Sequence, residues 1–275
     1  MSPFRHILLH VDSSAQTLNR LSVCRALAAR FGAEVTALYA VTPWLLLYPI
    51  GMDVAGEVAT QLSEWDAERL TKTHERILEA AGGDKAVRWA QLDDQSPFEF
   101  AAEALYADLL VLGRRVEGDP SKDDVPRDFL SHVILHSGKP VLVLPPDRAD
   151  LDAPQIVVIG WNGTRESASA LTASIPFLVG AKDVHVVSGS DRKQDGSSLD
   201  ALDRYLRLHD VYASFHTLPT ADGNAGQLLL DQARILGADL LVMGCYGHSR
   251  VREWVLGGAT RTVLDNATLP VLMTH

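Results

Sequence analysis

The stretch ADLLVLG at residues 107–113 recurs as ADLLVMG at residues 238–244. Each copy is a short apolar run that begins after an aspartate and ends at a glycine. Continuous apolar runs of this length are typical of strands in a parallel sheet that helices cover on both faces. A repeated strand of this kind predicts that the chain contains one α/β unit written twice.

Two further pairs of segments occur in the same order around this repeat. HILLHVDSSAQ near the start of the chain matches VVIGWNGTRES in the second half, and KPVLVLP matches LPVLMTH at the end. The spacing is also kept, because 27 positions separate Gly113 from Pro140 and 26 separate Gly244 from Pro270. Three ordered matches at similar spacing predict a tandem duplication.

The alternation of strand and helix patterns predicts a parallel sheet with right-handed crossovers in each copy. The expected fold class is therefore α/β, with two tandem copies of a Rossmann-like domain built on a five-stranded parallel sheet. Strands are expected at 5–11, 34–41, 87–92, 108–112, 140–144, 155–159, 183–188, 212–218, 239–243 and 270–274. Helices are expected at 16–30, 54–81, 97–106, 126–136, 165–179, 199–209, 225–236 and 250–266.

The boundary between the copies is predicted in PPDRADLDAP at 145–154, which combines prolines with charges between two strands. The first domain is expected at 1–147 and the second at 154–275. The first copy also carries an insertion from 42 to about 82 that begins with the apolar stretch PWLLLYPIGM. That stretch packs either on the other domain or a partner, or in the core of the first domain.

Net charge and cysteine content limit the partners and the compartment that we expect for this protein. The formal net charge of −10 argues against a nucleic-acid or anionic-membrane partner. The two cysteines, Cys24 and Cys245, are far apart and form no disulfide framework, which favours a reducing compartment. The first residues do not read as a signal peptide, and we expect a cytoplasmic protein.

A glycine-rich loop follows the fourth strand of the second copy. In MGCYGHSRVREWVLGGATRTVL, Gly244 ends the strand, Gly247 follows after two residues, and Gly257 and Gly258 follow after nine more. Glycines here let backbone N–H groups approach a ligand, and a helix that starts at Gly258 offers its N-terminus to a phosphate. The loop also carries three side chains able to donate hydrogen bonds: His248, Arg250 and Arg252.

This glycine spacing in a five-stranded repeat resembles that of the universal stress protein family, whose domains are adenine-nucleotide-hydrolase-like. The resemblance covers both copies and implies a tandem member. It implies a site for ATP or AMP, with or without Mg²⁺. The residues that it implies for this site are Asn162, Val187, Gly244, Gly247, Gly257 and Gly258. Four neighbours of these residues in the sequence are added as candidates: Trp161, Met243, His248 and Ala259.

The match to the family has two departures. Asn162 stands where the family has an aspartate that meets the ribose, and Gly258 stands where it has Ser or Thr. Each change removes one interaction with the nucleotide, at roughly 0.5–1.5 kcal/mol per ordinary hydrogen bond. The first copy keeps the aspartate as Asp12.

The first copy has lost the phosphate loop. After Gly113 it reads RRVEGDPSKDDVPRDFLSHV, and its acidic residues would repel a phosphate. We expect that this copy does not bind ATP in the same way, and that the chain therefore binds one nucleotide. Arg114 and Arg115 either hold another anion or are a solvated pair. The acidic residues are Asp119, Asp123, Asp124 and Asp128.

Other side chains were weighed for chemistry. Cys245 is either a redox-active thiol or a small loop residue, and Trp161 either lines the pocket or closes the core. The ten histidines show no zinc-binding spacing. Ser13, Ser14 and Thr164 are predicted to be helix N-caps rather than nucleophiles.

The expected function is a stress-response protein that binds an adenine nucleotide in its C-terminal domain and signals or protects. Catalysis is expected to be absent or limited to slow ATP hydrolysis. The alternative is an interaction module that binds no nucleotide, with self-association between the two domains or as a homodimer through the last strands. An enzyme of the related pyrophosphatase type would need a Ser-Gly-Gly-x-Asp-Ser loop, which WNGTRES does not match.

Overall fold

A computed structural model gives the structure of residues 4–47, 55–92, 96–116, 118–151, 153–190, 196–219, 224–245 and 258–275. The chain divides into two compact units, Met1–Ser137 and Gly138–His275. This division falls before the last strand of the first sequence repeat. The domain limits 1–147 and 154–275 follow the repeat instead, and they stay a prediction.

The first unit is a parallel sheet with the strand order β3-β2-β1-β4. The polar loop after each strand leads into a helix that returns along the sheet. Its strands are β1 (His6–Val11), β2 (Glu34–Tyr39), β3 (Val87–Gln91) and β4 (Leu109–Gly113). Its helices are α1 (Thr17–Phe31), α2 (Trp44–Leu47), α3 (Ala55–Ala81), α4 (Phe100–Glu103) and α5 (Phe129–His136).

The second unit has the strand order β5-β10-β9-β6-β7-β8. Its strands are parallel except that β5 runs antiparallel to β10. The strands are β5 (Val141–Leu144), β6 (Ile156–Trp161), β7 (Asp183–Gly189), β8 (Ala213–Leu218), β9 (Leu240–Gly244) and β10 (Val271–Thr274). The helices are α6 (Arg165–Leu178), α7 (Gly196–Arg207), α8 (Ala225–Leu236) and α9 (Gly258–Asn266).

The predicted α/β alternation and the parallel pairing are confirmed, and strand ends differ from the predicted ones by at most a few residues. The central strands β1, β4 and β9 are almost fully buried, and β6 is buried from Val157 to Ile159, as continuous apolar runs predict. Pairing between the last strands of the two repeats was one of the predicted alternatives, but the antiparallel direction of the β5–β10 pair was not predicted. Strand direction at that pair depends on how the two repeats meet, which apolar patterning does not encode.

An aspartate ties the central strands together in each unit. Asp108 Oδ2 accepts hydrogen bonds from the backbone N–H groups of Arg5 and His6, at 2.7 and 2.9 Å. Asp239 does the same at the start of β6, where Gln155 and Ile156 donate at 3.0 Å each. These aspartates open the repeated ADLLV segments, so the motif fixes where β1 meets β4 and where β6 meets β9.

The backbones of helices α8 and α9 approach each other closely at Gly226, where no side chain separates them. A Cβ atom added at Gly226 would lie 2.6 Å from the carbonyl oxygen of Ala259 and 2.9 Å from its Cα. Such a contact is shorter than van der Waals packing permits, so only glycine fits. The position of the α9 start therefore depends on the glycine in α8.

None of the helices in the described ranges is long and apolar enough to cross a membrane.

Gly226→Ala should push the start of α9 away from α8 and lower the free energy of unfolding by about 1–3 kcal/mol, as overpacking does. The matched control is Gly56→Ala in α3, where an added Cβ has nothing within 4 Å. That control should leave stability unchanged or raise it by up to about 1 kcal/mol. Urea denaturation measures both, and equal stabilities for the two variants would contradict the packing argument.

Candidate functional site

Ligands of open parallel sheets bind beyond the carboxyl ends of the strands. In the second unit two predicted site residues, Val187 and Met243, lie near the ends of the strands on either side of β6. Gly160 of β6 is in register with Val187 of β7 on one side and with Met243 of β9 on the other. Val187 and Met243 are buried, so this row forms the floor of the sheet edge.

Glycines at this edge allow helices to approach the sheet from both faces. A Cβ at Gly160 would lie 2.8 Å from a methyl carbon of Leu229 in α8. A Cβ at Gly244 would lie 2.4 Å from the backbone carbon of Glu166 in α6. Gly244 was predicted for the phosphate cradle, and in the structure its missing side chain makes room for the first turn of α6.

Asn162 lies directly after β6 and is already hydrogen-bonded. Its Oδ1 accepts from the backbone N–H of Thr164 at 3.2 Å and from the Thr164 hydroxyl at 2.8 Å. Gly163 between them has φ +70°, a left-handed conformation that favours glycine. Thr164 is the N-cap of α6 and forms a capping box with Ser167, which confirms its predicted role.

Two described groups at this edge are available to a ligand. The indole Nε1 of Trp161 is buried and has no hydrogen-bond partner within the described ranges. Gly258, the first residue of α9, is exposed, and a Cβ added there would have nothing within 4 Å. Ala259 follows it in the same turn. Gly247, His248 and Gly257 lie outside the described residues.

Cys245 is a buried thiol rather than a reactive one. Burial raises the pKa of its thiol well above the usual range, and its backbone N–H donates to Thr274 at 2.8 Å. A neutral thiol is a poor nucleophile, which supports its interpretation as a small loop residue. Among the described residues, no group of three or more His, Cys, Asp or Glu side chains is placed to hold a metal ion.

The equivalent edge of the first unit holds a buried ion pair. Asp12 follows β1 as Asn162 follows β6, and its Oδ1 lies 2.8 Å from Nη2 of Arg20. The same oxygen accepts hydrogen bonds from the hydroxyls of Ser14 and Thr17. Burial alone would raise the pKa of Asp12, but the Arg20 guanidinium beside it holds that pKa well below its usual range.

Arg20 was not predicted as a site residue. The guanidinium fits because the neighbouring strand has a glycine, since a Cβ at Gly113 would lie 2.1 Å from Nη1 of Arg20. The sequence did carry a signal, because Arg20 stands among the buried positions Leu21, Cys24 and Leu27 of α1. A charge on an apolar helix face needs a buried partner.

The loop after β4 closes over the same edge. Oδ2 of Asp124 accepts a hydrogen bond from the backbone N–H of Ser13 at 2.7 Å, and its Oδ1 pairs with Arg69 at 2.9 Å. Oδ2 of Asp119 accepts from the side-chain amide of Gln16 at 3.1 Å. Two of the predicted acidic residues therefore contact the segment after β1, where the second unit offers its candidate site.

The other two predicted acidic residues, Asp123 and Asp128, are placed elsewhere in the first unit. Asp123 pairs with Arg115 at 2.9 Å, and Asp128 is the N-cap of α5 without a side-chain cap bond. The N-cap predictions for Ser13 and Ser14 were wrong, because α1 begins after Gln16. The Ser14 hydroxyl donates to Asp12 instead, since the carboxylate is the stronger acceptor nearby.

The chain is similar to known proteins along most of its length. A family model described as the universal stress protein family matches residues 3–145 and 187–275. A curated universal stress protein of Synechocystis sp. is 23% identical over 98% of this chain and 99% of its own length.

Solved structures share the fold. A universal stress protein from Archaeoglobus fulgidus has a TM-score of 0.71 at 16% identity and covers 98% of this chain and 95% of its own. A structure from Pseudomonas aeruginosa described as a putative universal stress protein has a TM-score of 0.59 at 15% identity, covering 98% and 93%. At these identities the likeness concerns the fold.

Arg20→Met should lower the free energy of unfolding by about 3–5 kcal/mol, because it leaves the Asp12 carboxylate buried without its partner. Adding Asp12→Asn should restore most of the loss, since the second unit has the neutral Asn162 at this position. The control is Arg25→Met, which breaks the half-exposed pair with Asp84 and should cost less than about 1 kcal/mol. Urea denaturation measures all three, and a double variant as unstable as Arg20→Met would contradict the prediction.

The buried His10 should make the stability of the fold sensitive to acid. Burial lowers the pKa of His10 from 6.5 to about 4, so the unfolded state binds more protons between these pH values. The contribution of neutral His10 to the free energy of unfolding is complete above pH 6.5 and is lost as the pH falls toward 4. At 1.36 kcal/mol per pH unit, the loss is about 3 kcal/mol in total. His10→Gln should remove this part of the slope in urea titrations at successive pH values. An unchanged slope in the variant would contradict it.

Proposed function

This chain belongs to the universal stress protein family, and from that premise we propose that its second repeat binds one adenine nucleotide, ATP or AMP. The protein acts in a stress response by signalling or protection, through binding rather than through rapid turnover. The observation that carries the proposal is the start of α9, where Gly258 is exposed and no described atom lies within 4 Å of a Cβ added to it.

The α9 terminus suits a phosphate. The first N–H groups of a helix have no partners inside the helix, and its dipole places partial positive charge there. Gly258 is the first residue of a nine-residue helix, and Ala259 follows it. Without a side chain at Gly258, nothing described stands between these groups and a bound anion.

The floor of the sheet edge suits the nucleoside. Val187 and Met243 offer buried apolar surface at the ends of β7 and β9. Trp161 supplies an indole N–H without a hydrogen-bond partner in the described ranges, and a buried donor of this kind gains from a ligand acceptor. These features support an organic ligand rather than a free anion.

The amide at Asn162 changes how a ribose is held. A carboxylate there would accept two hydroxyl hydrogen bonds, whereas Oδ1 of Asn162 already accepts from Thr164. We propose that the nucleotide is held more by its phosphates and base than by its ribose.

The first unit supports a stoichiometry of one. Its backbone amide at Ser13 is satisfied by Asp124, and its Asp12 is neutralised by Arg20. A nucleotide at that edge would have to displace one carboxylate and compete with another. One nucleotide per chain follows.

The pairing of β10 bears on whether the last strands associate within one chain or between two chains. β10 is hydrogen-bonded to β5 on one edge and to β9 on the other. A homodimer that used β10 would have to break one of these ladders. The pairing supports the alternative in which the last strands of the two repeats satisfy each other within one chain.

Substitutions at Gly258 test the nucleotide site without disturbing the fold, because its surroundings are open. Gly258→Ser restores the hydroxyl that the family has there and should tighten ATP binding about two- to tenfold, the value of one hydrogen bond. Gly258→Asp should weaken it at least about tenfold by repulsion of the phosphates. Equilibrium titration of labelled ATP measures both affinities and the stoichiometry.

An acidic residue in the first turn of a helix stabilises it, so lost binding in Gly258→Asp cannot reflect unfolding. Circular dichroism melting checks this directly. The proposal fails if the natural protein does not bind ATP or AMP below millimolar concentration. It also fails if the two variants bind alike, or if two nucleotides bind per chain.

A further inference from the structure

Two histidines lie one helical turn apart on α5 of the first unit. His132 and His136 are four positions apart in the segment FLSHVILH, so their side chains project from the same face of the helix. Their rings stack, with centroids 4.1 Å apart and an angle of 25° between the ring planes. Two imidazoles this close can bind one ion together, and the second ring then binds at a high effective concentration.

A hydrogen bond fixes which nitrogen of His136 carries the proton. Its Nδ1 lies 2.8 Å from the backbone carbonyl oxygen of His132. A carbonyl oxygen can only accept, so Nδ1 donates and Nε2 of the neutral ring carries the lone pair. Histidines that bind metals have this same arrangement, in which the second ring nitrogen donates to a carbonyl or carboxylate oxygen.

The ring of His132 is restrained by a second aromatic contact. The ring of Phe98 packs against it with centroids 4.5 Å apart. A side chain packed in this way loses little rotamer freedom when it binds a ligand. Burial and the neighbouring His136 lower the pKa of His132 below its usual value, which favours the neutral ring that a metal ion requires.

Two carboxylates add negative charge near the pair. Asp128 and Glu99 both act to raise the pKa of His132, against the effect of burial, so their charges reach its ring. Both side chains are exposed, and Asp128 comes one turn before His132 at the start of α5. Their charges favour a cation at the histidines and disfavour an anion.

We propose that His132 and His136 together bind one divalent transition-metal ion of the kind that prefers imidazole ligands, such as Zn²⁺, Ni²⁺ or Cu²⁺. The described residues place no third His, Cys, Asp or Glu side chain in position to bind the same ion, so water completes its coordination. Structural and catalytic zinc sites have four or three protein ligands, which is why the spacing His-x-x-x-His alone predicts neither kind. The ion lies in the first unit, and its binding does not depend on a nucleotide in the second repeat.

Copper titration of the full chain tests the pair, because Cu²⁺ binds nitrogen ligands more tightly than Zn²⁺ or Ni²⁺ does. With one equivalent of Cu²⁺, electron paramagnetic resonance should show coupling to two imidazole nitrogens. His136→Gln and His132→Gln should each weaken copper binding at least about tenfold, since the remaining ring binds without a chelating partner. The matched control is His209→Gln, which removes an exposed histidine beyond the end of α7 and should leave the affinity unchanged.

Zn²⁺ gives a second readout, because an ion that bridges two turns of α5 stabilises the folded protein. It should raise the melting temperature of the natural protein but not that of His136→Gln. His136 is exposed and glutamine is a good helix former, so this variant should keep the circular dichroism of the natural protein. Mg²⁺ should not displace copper, since it prefers oxygen ligands.

Three outcomes would overturn the proposal. The first is a copper signal that shows a single imidazole nitrogen in the natural protein. The second is copper binding that neither His132→Gln nor His136→Gln weakens. The third is a Zn²⁺-dependent rise in melting temperature that is as large in His136→Gln as in the natural protein.

Discussion

The hydrogen-bonded aspartates just before β4 and β9 are the constraint on which the ligand edge of each sheet depends. Asp108 and Asp239 each hold the first residues of a neighbouring central strand. When the register of two parallel strands is fixed at their amino ends, their carboxyl ends come to lie at the same edge of the sheet. The loops after those strands therefore meet at one edge, and each unit acquires a place where polar groups face a common space.

Much of the fold could be predicted from the sequence, because the constraint is local and repeated. The ADLLV segments and the spacing to the last strand were enough to predict the elements and their parallel order. The pairing of the last strands, β5 with β10, was one of two predicted alternatives, but its antiparallel direction was not predicted, since either direction suits an apolar strand. The site was predictable only in part, because Gly244 reads as a ligand contact until the first turn of α6 is seen beside it.

The two units differ in charge at the residue that follows the first strand of each repeat. The first buries a charged pair, Asp12 with Arg20, and covers it with carboxylates from its own loop. The second has the neutral Asn162 there. A buried ion pair can be no more stable than a neutral packing of the same volume, while the loss of either partner is severe. Arg20 escaped prediction because its role depends on a partner eight positions earlier and a glycine in another strand.

The antiparallel pair of β5 and β10 has a consequence for how this chain divides. β5 belongs by sequence to the first repeat and by structure to the second unit. A protein cut in the linker at 145–154 would strip β10 of one neighbour and bare a row of unpaired amide and carbonyl groups. An exposed edge of this kind recruits other strands. Separation at that linker would therefore expose a strand edge in the second unit, whereas the limit between the two units lies before β5.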